Sequence, residues 1–413
     1  MQALNIAIAG CGPAGLAAAL FLHQQGHQIT LFERFAEPKP LGSGLLLQPG
    51  GQAVLERLGL GADIRALGRP VQRLYGKETR SGRVVLDVPY APLGAGVHAI
   101  GVHRAALFGV LYNTVKAAGL PIETKVEIIG IDRTAGGKPL LTLPNGRPAG
   151  PFDLVIDALG SRSPIAEYLF GPRLHSPLAW GALWASLPWP AQGFDQTTLE
   201  QRYVRANRMI GVLPIGRRAE GGPEEAAFFW SLKASDLEQW KTRGLARWKA
   251  ELGALWPETV PLLEAITDPT QMAFASYGHH TLALPVADRL AIIGDAAHAT
   301  SPQLGQGANM ALLDAAALAD AMANTDDLTT ALSAYTRTRR WHVRLYQALG
   351  AVLTPFYQSD SAALPFLRDR AFGVISGMPG GGKLLASLVA GQWLGRSPAP
   401  TRVPIGTTIN PAE

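Results

Sequence analysis

A glycine turn set between an apolar β run and a helix constrains this chain more than any other feature. Asn5 to Ala9 is short and apolar, and Gly10 to Gly15 reads Gly-Cys-Gly-Pro-Ala-Gly. Leu16 to Gln25 is a helical run of small and apolar residues closed by Gly26, and Gln28 to Phe32 is a second β run ending at Glu33. Strand, glycine turn, helix and strand in this order make a βαβ unit, and that context gives the G-x-G-x-x-G spacing its meaning. Gly10 permits the tight turn. Gly12 lets a pyrophosphate approach the backbone where the helix presents free N–H groups and the positive end of its dipole. Gly15 lets helix and strand pack closely, Cys11 is a small loop residue, and Pro13 and Ala14 lie between the last two glycines. Glu33 comes 18 residues after Gly15, with Arg34 beside it, where a carboxylate accepts hydrogen bonds from a ribose hydroxyl.

With 413 residues the chain exceeds one small core and is expected to form roughly two domains. Val71 to Tyr75 and Val84 to Val88 read as strands, Arg104 to Ala118 as a helix, and Ile122 to Ile128, Leu140 to Leu143 and Phe152 to Ile156 as strands. From about residue 176 to 277 the character changes: seven of the nine tryptophans fall here, with β runs at Leu178 to Leu187, Met209 to Leu213 and Ala226 to Leu232, then a helix from Asp236 to Leu252. Leu290 to Ile293 reads as another buried strand, and helices are expected from about Gly305 to Met322 and from Leu328 to Leu353. The fold class is therefore α/β. Residues 1–70, 98–175 and 278–350 are expected to form a discontinuous Rossmann-like domain, 71–97 and 176–277 an inserted mixed-sheet substrate domain, and 351–413 a helical C-terminal extension.

Composition narrows the class further. Cys11 is the only cysteine, so no internal disulfide or cysteine-based metal site forms, which fits a reducing compartment. His279 and His280 are adjacent and point to opposite faces of a strand, a poor metal pair, and no metal is expected. Leu4 to Leu22 is uncharged but lacks a basic leader and is split by Gly10, Gly12, Pro13 and Gly15, unlike a signal peptide. No other run approaches a membrane span, and the expected location is the cytoplasm. The net charge of +5 comes mostly from scattered residues, with no nucleic-acid footprint; Arg337, Arg339, Arg340 and Arg344 are grouped, as an anionic contact or a solvated helix face.

The second motif is Gly294-Asp295-Ala296-Ala297-His298, then Ser301-Pro302, then Gly305-Gln306-Gly307-Ala308-Asn309. This string, after a buried strand and before a long helix, resembles the second FAD motif of the single-component (class A) flavoprotein monooxygenases, the para-hydroxybenzoate hydroxylase-like family. The likeness extends over most of residues 1–350. Gly42-Ser43-Gly44 with Gln48-Pro49 looks like the family's loop beside the flavin, and Val102-His103-Arg104 like the place where an arginine contacts FAD. Val126 sits where the backbone meets the adenine. The resemblance implies bound FAD, with NAD(P)H as co-substrate. It also implies that Asp295 binds the ribityl chain, that Pro302 lies beside the isoalloxazine, and that Gly294, Gly305, Gly307, Ala308 and Asn309 complete the flavin side. One stretch departs from the pattern: Asp157-Ala158-Leu159-Gly160 places the aspartate two residues early, a form similar to flavin halogenases and geranylgeranyl-reductase-like proteins. Asp157 and Gly160 are still expected at the cofactor, and the departure bears on how NAD(P)H is used.

The substrate side is less marked. Alternation puts Trp180 and Trp184 on one sheet face and Phe228 and Trp230 together on a face, as a planar pocket or as ordinary core. Arg208 and Arg205 would anchor a carboxylate or stay solvated. No Ser-His-Asp order or P-loop is present, and no catalytic acid or base stands out. The expectation is an FAD-dependent monooxygenase that hydroxylates a small aromatic or apolar substrate with O2 and NAD(P)H, as a monomer or homodimer. A flavin dehydrogenase, reductase or halogenase of the same superfamily is the first alternative and a non-catalytic FAD-binding protein the second; the absence of W-x-W-x-I-P speaks against a halogenase.

Overall fold

The structure is a computed structural model and describes residues 1–37, 42–171 and 176–393. Its first sheet runs in the order Val286–Ala287, Leu290–Ile292, Leu154–Asp157, Asn5–Ala9, Gln28–Glu33 and Ile122–Thr124. All neighbours are parallel except the short hairpin at Val286–Ala287. Parallel strands are covered on both faces, which explains why Asn5–Ala9 is an unbroken apolar run. Ile6 and Ile8 pack into the core under the helices Pro13–Gln24, Arg104–Ala117 and Gly307–Ala323, while Ala7 and Ala9 face Phe32, Leu141, Phe152 and Val155 on the other side.

A second sheet of seven strands runs Ala273–His279, Ser176–Pro188, Glu224–Lys233, Arg208–Arg217, Thr198–Val204, Arg73–Glu78 and Val84–Pro89. Residues 73–89 thus join the sheet expected from the later segment, through the parallel pair Arg73–Glu78 with Thr198–Val204. Three further strands, Gly44–Leu47, Ala99–His103 and Arg69–Val71, bridge the two large sheets. Glycines make that bridge possible. A Cβ on Gly101 would overlap the carbonyl of Pro214, and one on Gly44 would overlap Ile215 and crowd Ala227.

Several element boundaries differ from expectation for local reasons. The first helix begins at Pro13, whose fixed φ suits a helix start. The strand from Ile122 ends at Thr124 because Lys125 turns to a φ of 61°, so Val126 is not in a strand. The single helix expected from Asp236 to Leu252 is two, Leu237–Arg243 and Leu245–Leu255, broken at Gly244 with a φ of 80°. The second FAD-motif helix starts at Gly307, since Gly305 is left-handed at 61°. The next helix runs from Leu328 to Tyr357, past the expected end. The described part of the C-terminal extension holds the helices Ala363–Gly377 and Gly381–Val389; residues 394–413 lie outside the described residues.

The glycine seam gives a stability test. Gly101→Ala forces a Cβ against backbone and is expected to cost about 1–3 kcal/mol. Gly109→Ala, in a helix where a Cβ meets nothing within 4 Å, is expected to stabilise by up to about 1 kcal/mol. Thermal denaturation of the two variants side by side should separate them in opposite directions from the parent, and equal shifts would refute the seam.

Candidate functional site

The glycine turn has the shape its sequence implied. Gly10 has a φ of 106°, and a Cβ there would lie 2.5 Å from the carbonyl oxygen of Ala158. A Cβ on Gly15 would overlap the Gly10 carbonyl, whereas one on Gly12 would meet nothing within 4 Å. Gly10 and Gly15 are therefore demanded by the protein itself, and Gly12 leaves open space at the amino end of the helix. The Glu33 carboxylate beside that space accepts from the N–H of Cys11 at 3.2 Å and of Phe35 at 3.1 Å. The Cys11 thiol is buried and pushed up to about 12, by burial first and Glu33 second, so it stays a protonated, inert filler. Arg34 is exposed with its guanidinium 4.7 Å from the Phe35 ring, and the Val126 N–H donates to Glu33 O at 3.0 Å, which sets that backbone beside the acid.

The second motif meets the first at Gly294. A Cβ there would lie 3.1 Å from Ala14 Cβ, at the start of the first helix, and 3.3 Å from Ala311 Cβ, in the first turns of Gly307–Ala323. Two helix amino ends thus converge on one glycine. Asp295 beside it is exposed and has no side-chain partner among the described residues, with its Oδ1 3.9 Å from where a Gly307 Cβ would stand. Pro302, Gly305, Gly307 and Ala308 are partly exposed along the same edge. Arg104 is exposed, with its Cδ 3.0 Å from where a Gly42 Cβ would be, at the mouth of the neighbouring loop. Space at Gly12, an acid at each end and uncommitted N–H groups at Gly307 fit an elongated dinucleotide such as FAD.

Several residues expected at the cofactor have side chains or turns engaged by the scaffold. Asp157 is fully buried, and its carboxylate accepts from Leu159 N–H at 3.0 Å and Ser163 Oγ–H at 2.5 Å. It shapes its own loop, with Gly160 supplying a φ of 83°, and that loop supports Gly10 from behind. Asn309 is buried; its Oδ1 accepts from Gln48 N–H at 2.8 Å and its Nδ2 donates to Leu46 O and Gly305 O, both at 3.0 Å. Ser43 Oγ lies 2.8 Å from Ser186 Oγ and donates to Ala185 O at 3.1 Å, and Gly44 is buried against Ile215 and Ala227, so both belong to the seam. His103 extends this chain. Its Nδ1 accepts from Ala105 N–H, so Nε2 carries the proton that reaches Ser186 Oγ at 3.0 Å. Burial, then Arg218, pushes His103 down to about 4.

A buried ion network escaped sequence reading. Asp314, fully buried in the helix behind the flavin loop, accepts from Gly294 N–H at 2.9 Å, His298 Nε2–H at 2.5 Å and Arg339 Nε–H at 2.7 Å. Burial would raise this carboxyl, but His298 and Arg339 outweigh it and hold it well below the usual carboxylate range. Arg339 also donates to His342 Nδ1 at 2.7 Å, and His342 Nε2–H donates to Gly391 O at 3.0 Å. A single aspartate inside the apolar run Met310 to Ala319 was the signal that could have revealed it.

The aromatic expectations divide by sheet face. Trp184 packs tilted against Phe229, ring centroids 4.7 Å apart, and donates from Nε1 to Tyr277 Oη at 2.8 Å, on the face that packs against Leu46. Leu46 Cβ lies 3.8 Å from where a Gly305 Cβ would be, so this face abuts the flavin loop. Trp180 lies at the strand's far end under the Lys233 ammonium, 5.4 Å from its ring. Phe228 and Trp230 point the opposite way, packed with Trp248, Leu252 and Ile266 under the helices that follow the sheet. Arg208 goes with them, 5.4 Å over the Trp230 ring and 3.6 Å from Glu251. These three are core and its edge, on the face turned away from Leu46 and Gly305. Sequence reading missed Phe229 and Tyr277, because only strand register sets them beside Trp184.

A family described as FAD binding domain matches residues 3–346. The chain is similar to an FAD-dependent urate hydroxylase of Mycolicibacterium vanbaalenii, 26% identical over 344 residues that cover 81% of this chain and 84% of the relative. It is also similar to a 6-hydroxynicotinate 3-monooxygenase of Pseudomonas fluorescens, 28% identical with 82% and 89% covered. In fold it is similar to a tetrameric form of 2-methyl-3-hydroxypyridine-5-carboxylic acid oxygenase, with a TM-score of 0.76, 22% identity and 90% and 94% coverage. A Klebsiella pneumoniae structure complexed with FAD superposes with a TM-score of 0.77 at 21% identity over 95% of this chain and 100% of that one. Among the described residues no helix is long and apolar enough to cross a membrane.

Asp157 yields a pH test. Burial lifts its carboxyl from the ordinary 3.8 to about 6 despite the Ser163 and Leu159 bonds. A raised pKa means that its protonated form stabilises the fold at low pH and that this contribution is lost as pH rises through about 6. At 1.36 kcal/mol per unit over roughly two units, the loss is on the order of 3 kcal/mol. Asp157→Asn should flatten that slope in denaturant unfolding measured between about pH 4 and about pH 7. An unchanged slope would show that the buried carboxyl titrates normally.

Proposed function

This chain belongs to the FAD-binding family of class A flavoprotein monooxygenases, and from that premise we propose that it inserts one atom of O2 into a small, planar aromatic or apolar substrate, using NAD(P)H as reductant. The observation that carries the reading is the convergence of two helix amino ends on Gly294, with the exposed carboxylate of Asp295 beside it. FAD, when bound, supplies the redox chemistry, taking a hydride from NAD(P)H and reducing O2. The residues around it bind, orient and exclude water. Gly10, Cys11, Gly12, Pro13, Ala14 and Gly15 offer backbone N–H groups and room to the pyrophosphate. Glu33 takes the adenosine ribose, with Arg34 and the Val126 backbone on the adenine side, and Arg104 closes the middle. Asp295 takes ribityl hydroxyls. Pro302, Gly305, Gly307 and Ala308 line the ring edge, where the helix dipole stabilises negative charge on the reduced ring.

On this reading residues 1–70, 98–175 and 278–350 hold the cofactor, and residues 71–97 and 176–277 cover it with the Trp184, Phe229 and Tyr277 wall. Tyr277 is pushed up to about 12 by burial, opposed by the Trp184 bond and Arg104, so at neutral pH it is a hydrogen-bond donor. An aromatic wall and a neutral phenol suit a planar heterocycle, the kind of molecule named for the urate and 6-hydroxynicotinate relatives. The protein is taken to act in the cytoplasm, as a monomer or homodimer.

Two experiments test the reading. Asp295→Ala should raise the FAD dissociation constant at least tenfold, since a charge-assisted bond contributes about 1.5–3 kcal/mol; an unchanged constant would remove Asp295 from the site. Turnover of a panel of hydroxylated heterocycles under isotope-labelled O2 should put the label into product. A substrate that loses hydrogen and gains no label would make the enzyme a dehydrogenase, and a halide-dependent product would make it a halogenase.

A further inference from the structure

Oxygen insertion has a proton balance. A hydride from NAD(P)H, O2, a C–H bond and one proton give a C–OH bond and water, so each turnover consumes a proton inside a site that must stay dry. Reduction of O2 to hydrogen peroxide without substrate consumes one as well. A line of hydroxyls leads from the flavin loop to a histidine that the scheme above does not use. Ser301 precedes Pro302 and is buried, and its Oγ lies 2.7 Å from Thr354 Oγ1, also buried, on the helix Leu328–Tyr357. Thr354 Oγ1 lies 3.5 Å from His279 Nε2, at the end of the strand Ala273–His279. His279 Nδ1 is 3.3 Å from Thr300 Oγ1. The His279 residue is half-buried.

The helix is built to let these groups meet. Its Gly350 faces Thr300 and His279; a Cβ there would lie 2.6 Å from Thr300 Oγ1 and 3.6 Å from His279 Cε1. Thr300, Ser301 and Gly350 line a narrow crevice, and Gly307 lines it with them. From these placements the geometry points to His279, Thr354 and Ser301 as the path by which the consumed proton enters the flavin pocket. The inference rests on the monooxygenase reading. Thr354 is the rotor of the path. At rest its hydroxyl donates to Gly350 O at 2.6 Å, so it can only accept from Ser301 and His279. Turned toward Ser301, it hands its proton inward and takes one from the His279 imidazolium, which is refilled from water; no group is oxidised or reduced.

The groups around His279 leave it free to cycle. On the helix, Gln347 hydrogen-bonds its side chain, and Tyr346 donates its hydroxyl to Leu388 O. On the flavin side, His298 lines the same crevice but is held by Asp314. On its own strand Tyr277 accepts from Trp184, and the next residue, His280, bonds to Ala296 O. Burial pushes His279 below its ordinary value, against the Gln347 bond. A lowered pKa makes it a ready proton donor whose supply fails as pH rises.

The test uses FAD-loaded enzyme, reduced anaerobically with dithionite and mixed with O2, from about pH 5 to about pH 9 in water and in D2O. Parent enzyme should lose rate toward alkaline pH and show a solvent isotope effect. His279→Gln should slow the step by on the order of tenfold to a hundredfold and abolish the pH dependence. Thr354→Val should remove the isotope effect, Thr354→Ser should restore it, and added imidazole should rescue His279→Gly. FAD dissociation constants should stay within about twofold, and ring NMR should show the His279 titration intact in Thr354→Val. Variants with the parent pH profile and isotope effect would overturn the path. So would a slow His279→Gly that imidazole leaves slow while FAD binding weakens, since that is the behaviour of a structural seam. A reduced flavin that does not react with O2 at all would instead overturn the monooxygenase reading, and the path with it.

Discussion

The buried carboxylate of Asp314 is the interaction on which the cofactor side of the molecule depends. It sits on the helix that follows the flavin loop and holds the N–H of Gly294, the His298 ring and the Arg339 guanidinium at once. Removing one partner from such a cluster leaves an uncompensated charge in a low-dielectric core, at about 3–5 kcal/mol. What the cluster fixes is geometry. Gly294 is the point at which the two helix amino ends meet, so a shift there would separate the Gly10–Gly15 turn from Asp295. Through Arg339 and His342 the same cluster reaches Gly391, while Gln306 and Tyr346 bind the carbonyls of Val389 and Leu388. The C-terminal segment is thereby strapped over the flavin loop by side chains that belong to the FAD motif and its supporting helix.

The second constraint is how closely the sheets approach. Gly44 and Gly101 remove the side chains that would keep the three-stranded bridge away from the seven-stranded sheet. The His103, Ser186 and Ser43 hydrogen bonds then cross the junction in one direction, each hydroxyl accepting from one neighbour and donating to the next. This polar seam decides which face of the large sheet looks toward the Gly305 loop. Once Ala227 and Ile215 are set against Gly44, alternation forces Phe229 toward the loop and Phe228 and Trp230 away from it.

Much of the cofactor side was legible in the sequence because it obeys local rules. A glycine that needs a positive φ, or that lets a backbone pass, announces itself by spacing, as Gly10, Gly15, Gly294 and Gly305 do. Glu33 and Asp295 stand at strand ends beside such turns, so their positions follow from the turns. Asn309, Ser43 and Asp157 share a feature that local sequence does not reveal: each sits in the cofactor strings, and each has side-chain atoms taken by backbone or hydroxyl partners from the surrounding scaffold. Membership of a motif does not tell a residue that touches the ligand from one that holds the residue that does.

By itself the sequence determined the βαβ unit, its glycine turn and the presence of an inserted aromatic sheet, since these rest on backbone conformation and periodicity within a few residues, and it carried the resemblance that marks the second FAD motif. Only the tertiary structure decided which aromatic residues face the flavin loop, that Asp314 is its internal anchor, and that His279, Thr354 and Ser301 line up beside it. Those outcomes depend on strand register and on the docking of elements far apart in the chain. A one-residue slip in the pairing of Trp184 with Phe229 would have turned the other face of the sheet toward the cofactor, without altering a single local preference.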